Sequence, residues 1–283
     1  MSFGTVAILG PGLIGGSLAL ALAERSLARQ IRIYGRRDAT FPAIRERLPL
    51  AELTTNVLDA VRDADVVILC VPIETMAPLV KQFAGSLKPT ALVTDVGSVK
   101  ESVDNEIAPL LANKALWIGS HPMAGSEKSG FAAARPDLFV GARIILTPTG
   151  KTAPEARERA ETFWQKVGAS VFTAPPFEHD KMVAHISHLP HLAAAALVNA
   201  TDENHFKAAG PGFRDTTRVA SGSPDLWTEI AWDNREKIKS AIATLVTELE
   251  HIKISLEKGD KSGLQQALQK AHDQRSKFLR SHL

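Results

Sequence analysis

The chain is poor in cysteine and tyrosine, with one of each among 283 residues. The single thiol, Cys70, lies inside an apolar run and cannot close a disulfide within the chain. A disulfide-stapled secreted scaffold is thereby excluded, and a reducing, cytoplasmic setting is expected. Charge of one sign is missing as well. Lys and Arg number 33 against 31 Asp and Glu, a net of +2, which gives no broad electrostatic reason to expect nucleic acid as a partner. Nor is there an unbroken apolar span. Residues 2–23 carry no charge, yet Gly4, Gly10, Pro11, Gly12, Gly15 and Gly16 interrupt them and no Lys or Arg precedes them. That pattern suits neither a membrane-spanning helix nor a signal peptide. Low-complexity stretches and internal repeats are absent too.

What is present is an ordinary globular composition, 45% hydrophobic and 23% charged, in a length that suits two domains better than one. Up to residue 174, short apolar runs alternate with helical patterns. The runs are residues 6–9, 31–34, 66–71, 91–94, 116–118 and 144–146. Runs this apolar, without alternation, are expected of strands covered on both faces, so they predict one parallel sheet flanked by helices. The character changes at Ala174-Pro175-Pro176, beyond which no convincing strand is found. Residues 191–200 are small and apolar, as in a helix buried on most sides. Ile238, Ile242, Leu245, Leu249, Ile252 and Leu256 form a heptad seam that wants another helix against it, within the chain or, as favoured here, from a second copy. Leu264, Leu268 and Ala271 suggest one more helix. The division expected is an α/β domain over residues 1–174 and an all-α domain over residues 175–283.

Gly10-Pro11-Gly12-Leu13-Ile14-Gly15 fits the dinucleotide pattern G-x-G-x-x-G. It follows a buried strand directly and opens a helix, the context that makes the pattern meaningful. The first glycine allows a tight turn, the second lets backbone approach a pyrophosphate, and the third brings helix and strand close. The helix start adds free N–H groups and partial positive charge. After the second strand run, Gly35-Arg36-Arg37-Asp38 stands where an acidic residue would bind the ribose hydroxyl of NAD. Two guanidiniums suit a 2′-phosphate, so NADP is favoured, with NAD still open through Asp38.

Two later segments lie where such a sheet binds ligands. Residues 95–100 set Ser98 at an expected helix start, where it would also serve as an N-cap. Residues 119–130 place His121 directly after a strand, in a turn of small residues. Imidazole titrates near neutrality and can take a proton from a hydroxyl as hydride leaves, although a structural histidine is an equal reading of that residue alone. Arg214 and Arg218, four apart, would share a helical face able to grip carboxylates, or else bridge to Asp215 or Asp225 on the surface. His185, His188 and His191 recur at intervals of three, but such steps drift around a helix and Pro190 interrupts them, so no metal is expected.

In GPGLIGGSLA, TDVGSVK, GSHPMAGSEKSG, ILTPT, EHDKMVAHISHLPH and GFRDTTRVASGSPDLW, in that order from the first strand to Trp227, the chain resembles the prephenate/arogenate (cyclohexadienyl) dehydrogenase family of tyrosine biosynthesis. The resemblance implies a Rossmann dinucleotide-binding domain followed by an all-helical dimerisation domain. It implies oxidation of the ring hydroxyl carbon of a cyclohexadienyl substrate, with hydride passing to NAD(P)+ and the ring carboxylate leaving as CO2. By the same resemblance His121 is the base on the 4-hydroxyl and Ser98 helps hold that hydroxyl. Arg218 takes the ring carboxylate, Arg214 stands near the side-chain carboxylate, and His191 contacts the side chain. Glu127 pairs with the substrate-binding arginine, and Ser126 lies beside it. His188 keeps a structural hydrogen-bonding role. Cofactor contacts are expected at Gly10, Gly12, Leu13, Ile14, Gly15, Arg36 and Arg37, and at Val71 and Pro72 where the third run ends.

Prephenate is favoured over arogenate through His191, although the Phe213-Arg214-Asp215-Thr216 form of the arginine motif also occurs in arogenate users. Other readings are a β-hydroxyacid dehydrogenase, a pyrroline-carboxylate reductase, and a non-catalytic NADP-binding sensor. HPMAGSEKSG has no task in the two enzymes, and the joint presence of Ser98, His121, Arg214 and Arg218 speaks against the sensor. Little length follows the helical half, so inhibition by tyrosine, if present, is expected to act at the active site itself. Neither a membrane nor a nucleic-acid partner is expected.

Overall fold

The computed structural model describes residues 2–125 and 128–280. β1 (Thr5–Leu9) leads through α1 (Leu13–Glu24) to β2 (Gln30–Tyr34), then α2 (Phe41–Arg47), β3 (Glu52–Thr54) and α3 (Val57–Val61). β4 (Val66–Leu69), α4 (Ile73–Phe83), β5 (Leu92–Asp95), α5 (Glu101–Leu111) and β6 (Leu116–Trp117) follow. The six strands form one parallel sheet in the order β3-β2-β1-β4-β5-β6. This is the doubly wound Rossmann order, whose direction of winding reverses between β1 and β4.

β1, β4 and β5 are buried along their whole length. Successive side chains of a strand point to opposite faces, and here helices cover both. Val6 and Ile8 join Leu18, Ile33, Phe163 and Trp164 on one face, while Ala7 and Leu9 join Met76, Val80, Phe83 and Ile107 on the other. Two apolar faces leave no polar alternation to see, which is why these strands read as continuous runs. Each Leu or Ile so buried contributes about 1.5–3 kcal/mol relative to exposure.

One run departs from expectation. Residues 144–146 lie outside the parallel sheet, in β8 (Arg143–Thr147) of a separate three-stranded sheet with β7 (Gly119–Met123) and β9 (Ser170–Thr173). β7 and β8 are antiparallel, β8 and β9 parallel across α6 (Pro154–Lys166). The reason is the spacing at Ile118. A parallel neighbour needs a crossover of a dozen residues or more, whereas β7 follows β6 after one residue and so runs straight on beyond the first sheet.

Past Thr173 the described residues hold helices and turns only: α7 (Pro176–Val183), α8 (Leu189–Asn199), α9 (Pro211–Thr217), α10 (Pro224–Asp233), α11 (Arg235–Glu257) and α12 (Lys261–Arg280). α7 to α10 each carry a proline in the first turn, where a missing N–H costs nothing and the fixed φ favours helix. A single π turn, Ala184–His188, joins α7 to α8. The chain divides into two compact units, residues 1–234 and 235–283. In the second, α11 and α12 pack on each other. The heptad seam lies on α11, with Ile238 buried and Ile242, Leu249 and Leu256 exposed. No described helix is long and apolar enough to cross a membrane.

Candidate active site

The turn from β1 into α1 is shaped by its glycines. Gly10 has φ +113°, a region that disfavours side chains, and a Cβ there would stand 2.3 Å from the Cys70 carbonyl oxygen. A Cβ on Gly15 would stand 2.1 Å from the Gly10 oxygen, so the first turn of α1 lies directly on the strand. At Gly12 nothing lies within 4 Å of that position: the second glycine faces open space, as a pyrophosphate needs. Gly12 is the N-cap of α1, without a side-chain cap, so the amides of the first turn, beginning at Leu13 and Ile14, remain as anion donors. Gly10 also approaches Val71, just before Pro72, the N-cap of α4. The structure thus gathers Gly10, Gly12, Leu13, Ile14, Gly15, Val71 and Pro72 at the point where the winding of the sheet reverses, and the loop fits a dinucleotide. Arg36, Arg37 and Asp38 are exposed just past the end of β2.

The second cluster grows from the end of β5. Asp95, fully buried, binds the ammonium of Lys100, accepts from Gly97 N at 2.7 Å, and accepts from Ser120 N at 3.1 Å. Lys100 Nζ also donates to the Ser120 carbonyl oxygen at 2.9 Å, and Ser120 Oγ donates to the Asp95 carbonyl oxygen at 2.5 Å. One buried ion pair therefore pins β7 to the end of β5. Ser98 sits in the pinned loop, half-buried, and its hydroxyl bonds to no described residue. It is not the expected N-cap: α5 begins three residues later, at Glu101, and its first amides are capped by Asp180.

His121 lies within β7, opposite Ile145 of β8, and not in the turn the sequence suggested. A strand residue is held more firmly than a turn residue, and His121 is 7% exposed. Its Nδ1 lies 2.8 Å from Nε2 of His179 in α7, whose Nδ1 lies 2.7 Å from Asp180 Oδ1. Burial, followed by the His179 ring, the Lys100 ammonium and the His188 ring, holds His121 well below the ordinary imidazole value. At neutral pH it is an uncharged base.

His191 in α8 stacks on Trp227 of α10, ring centroids 3.6 Å apart and planes 13° from parallel. His191 Nδ1 is buried and has no hydrogen-bond partner among the described residues. His188, in the π turn, takes Asn234 Nδ2 at 3.2 Å on its Nδ1, leaving Nε2 buried and unpartnered among those residues. His185 is exposed, and no described group of three or more His, Cys, Asp or Glu could hold a metal. Arg214 in α9 is exposed and only 3.9 Å from Asp215 Oδ1, a weak surface pair. Arg218 opens the one-turn 3-10 helix Arg218–Ser221, which packs on α8, the helix of His191. Ser126 and Glu127 lie outside the described residues. Sequence reasoning passed over Asp95, Lys100, His179, Asp180, Trp227 and Asn234. The adjacent His-Asp of residues 179–180, in a chain already offering a base, was the available signal.

The family model described as prephenate dehydrogenase, nucleotide-binding domain, matches residues 18–173, and that of its dimerisation domain matches residues 175–270. The prephenate dehydrogenase of Bacillus subtilis is 34% identical over 96% of this chain and 75% of its own length. A crystal structure of prephenate dehydrogenase from A. aeolicus, in complex with hydroxyphenyl propionate and NAD+, superposes with a TM-score of 0.91 at 31% identity, covering 98% of this chain and 99% of that one. Synechocystis arogenate dehydrogenase does so with a TM-score of 0.84 at 31% identity, covering 97% and 99%. With both family models matched in order across a Rossmann sheet and a helical half, the chain belongs to the prephenate dehydrogenase family.

Proposed function

We infer that this protein oxidises prephenate to 4-hydroxyphenylpyruvate and CO2, with NAD(P)+ as hydride acceptor, in tyrosine biosynthesis. The observation that carries this reading is His121: an imidazole kept neutral by burial and fixed in a strand that is pinned to the end of β5. The same sheet ends in a glycine turn fitted to a dinucleotide. Nicotinamide, when bound, supplies the hydride acceptor. Gly12 and the first amides of α1 take the pyrophosphate. Arg36 and Arg37 take a 2′-phosphate, which makes NADP the preferred form over NAD.

His121 accepts the proton of the ring hydroxyl as hydride departs from the same carbon, and Ser98 holds that hydroxyl. The ring carbonyl so formed draws in the electrons released when the ring carboxylate leaves as CO2, and the ring becomes aromatic. Arg218 grips the ring carboxylate, while Arg214 and His191 serve the side chain. Positioned base catalysis of this kind contributes about 10² to 10⁴ in rate. A second copy packs against the exposed seam of α11, giving a homodimer.

The likeness to an arogenate dehydrogenase keeps arogenate as the second substrate. The deciding assay supplies prephenate or arogenate with NADP+ or NAD+ and follows reduced-cofactor absorbance together with CO2. Turnover of prephenate, with kcat/KM above that of arogenate, is expected. Absence of turnover with both substrates would leave a nucleotide-binding sensor instead.

A further inference from the structure

The hydrogen-bond chain behind His121 has a direction. Asp180 is 1% exposed and its two carboxylate oxygens receive three donors: Lys100 N at 2.8 Å and His179 Nδ1 at 2.7 Å on Oδ1, and Glu101 N at 3.0 Å on Oδ2. A carboxylate has no hydrogen to give, so His179 Nδ1 carries one. A neutral His179 ring then has a bare Nε2, which can only accept. The atom facing it at 2.8 Å is His121 Nδ1, which must therefore be N–H. Each step removes one freedom, and the last leaves the free lone pair of His121 on its other nitrogen, Nε2.

We propose that His179 and Asp180 are positioning residues that lock His121 in its Nδ1–H tautomer, so that Nε2 is always the atom that takes the substrate's proton. The opposite polarity needs a doubly protonated His179, whose Nε2–H would turn His121 Nδ1 into the acceptor and place a hydrogen on the reactive nitrogen. The surroundings disfavour that state. Both rings are buried, the Lys100 ammonium lies near each, and His188 adds a further ring beside both. Asp180 and Asp95 act on His179 in the opposite sense, but burial outweighs them. Once Nε2 has accepted the proton, His121 is an imidazolium that still donates from Nδ1 to His179, so the lock holds before and after transfer. The position of the lock is fixed by elements: Asp180 caps α5, and its own carbonyl oxygen accepts from Asn234 Nδ2 at 2.8 Å.

This inference rests on His121 being the base, and the experiment separates the two. Long-range proton–nitrogen NMR on the histidine-labelled whole enzyme reads the tautomer of His121 with no reaction running. Nδ1–H is expected in the wild type, and Nε2–H would overturn the lock whatever His121 does. Kinetics then tests its use. His179→Leu should lower kcat about 10²-fold with KM within about threefold, and His179→Gln, whose amide oxygen can accept from Nδ1, should recover most of the loss. In a His121→Asn background, His179→Leu should cost nothing further, because two residues acting as one unit are not additive. A full additional loss there, or a His179→Leu enzyme within threefold of wild type, overturns the proposal. Near-normal turnover of His121→Asn itself would instead remove the base assignment and leave the tautomer result standing.

Discussion

At the scale of single residues, the site turns on imidazoles kept neutral. His121→Asn should reduce kcat by about 10² to 10⁴ while a product analogue binds within a few-fold of its wild-type affinity, measured by calorimetry. Unchanged kcat would refute the role. The same neutrality has a cost in acid. His188 is held at about 4, chiefly by burial and against the pull of Asp180, and His121 and His179 are also held low. An unfolded chain protonates these rings near pH 6.5, the folded one only at lower pH. Between those values the unfolded state binds more protons, so stability falls as pH drops from 6.5 toward 4, by about 3 kcal/mol for His188 alone. Urea midpoints at pH 7 and 5 should show it, and a flat profile would mean that the folded rings take up protons at the same pH as the unfolded ones. Of these residues, His121 was legible because it stands in a distinctive local motif. His179 was not, because its partner is 58 positions away in sequence and no local pattern marks a hydrogen bond between strand and helix.

Elements explain which parts of the fold could be read. Gly10 to Gly15 between a strand and a helix was legible because its function is local backbone geometry. The buried strands were legible because two covered faces leave only apolar residues. Residues 144–146 show the limit: a buried strand looks alike in either sheet, and the short step at Ile118, not the run itself, decides where it pairs. Likewise the start of α5 was misplaced because its cap comes from another helix rather than from Ser98. The junction between the two sheets depends on the Asp95–Lys100 pair, both members at most 1% exposed. Lys100→Met should leave Asp95 buried without its cation and lose about 3–5 kcal/mol, lowering Tm by about 10 °C. Adding Asp95→Asn should return part of that loss. If the single change left Tm within about 2 °C, the pair would not be what joins β7 to β5.

At the scale of the whole molecule, the part of the chain least buried is the last unit. A helix of 23 residues carrying a heptad seam would normally hide that seam, yet Ile242, Leu249 and Leu256 are 38%, 56% and 63% exposed on α11. α12 has no fully buried residue and leaves Leu268 and Phe278 exposed as well. Scattered apolar exposure is normal, but a run of large side chains along one helix marks an interaction surface. The family description of residues 175–270 as a dimerisation domain identifies the partner as a second copy. On the proposal that this seam is the interface, burying each large side chain contributes about 1.5–3 kcal/mol to association. Placing a charge on it should reverse the sign of that contribution. Leu249→Glu combined with Ile242→Glu is expected to shift the wild-type dimer to monomer in analytical ultracentrifugation at micromolar concentration. Because Ile238 and the active-site residues are untouched, NADP+ should still bind the monomer. A variant that sediments as the wild type does would place the interface elsewhere on the chain.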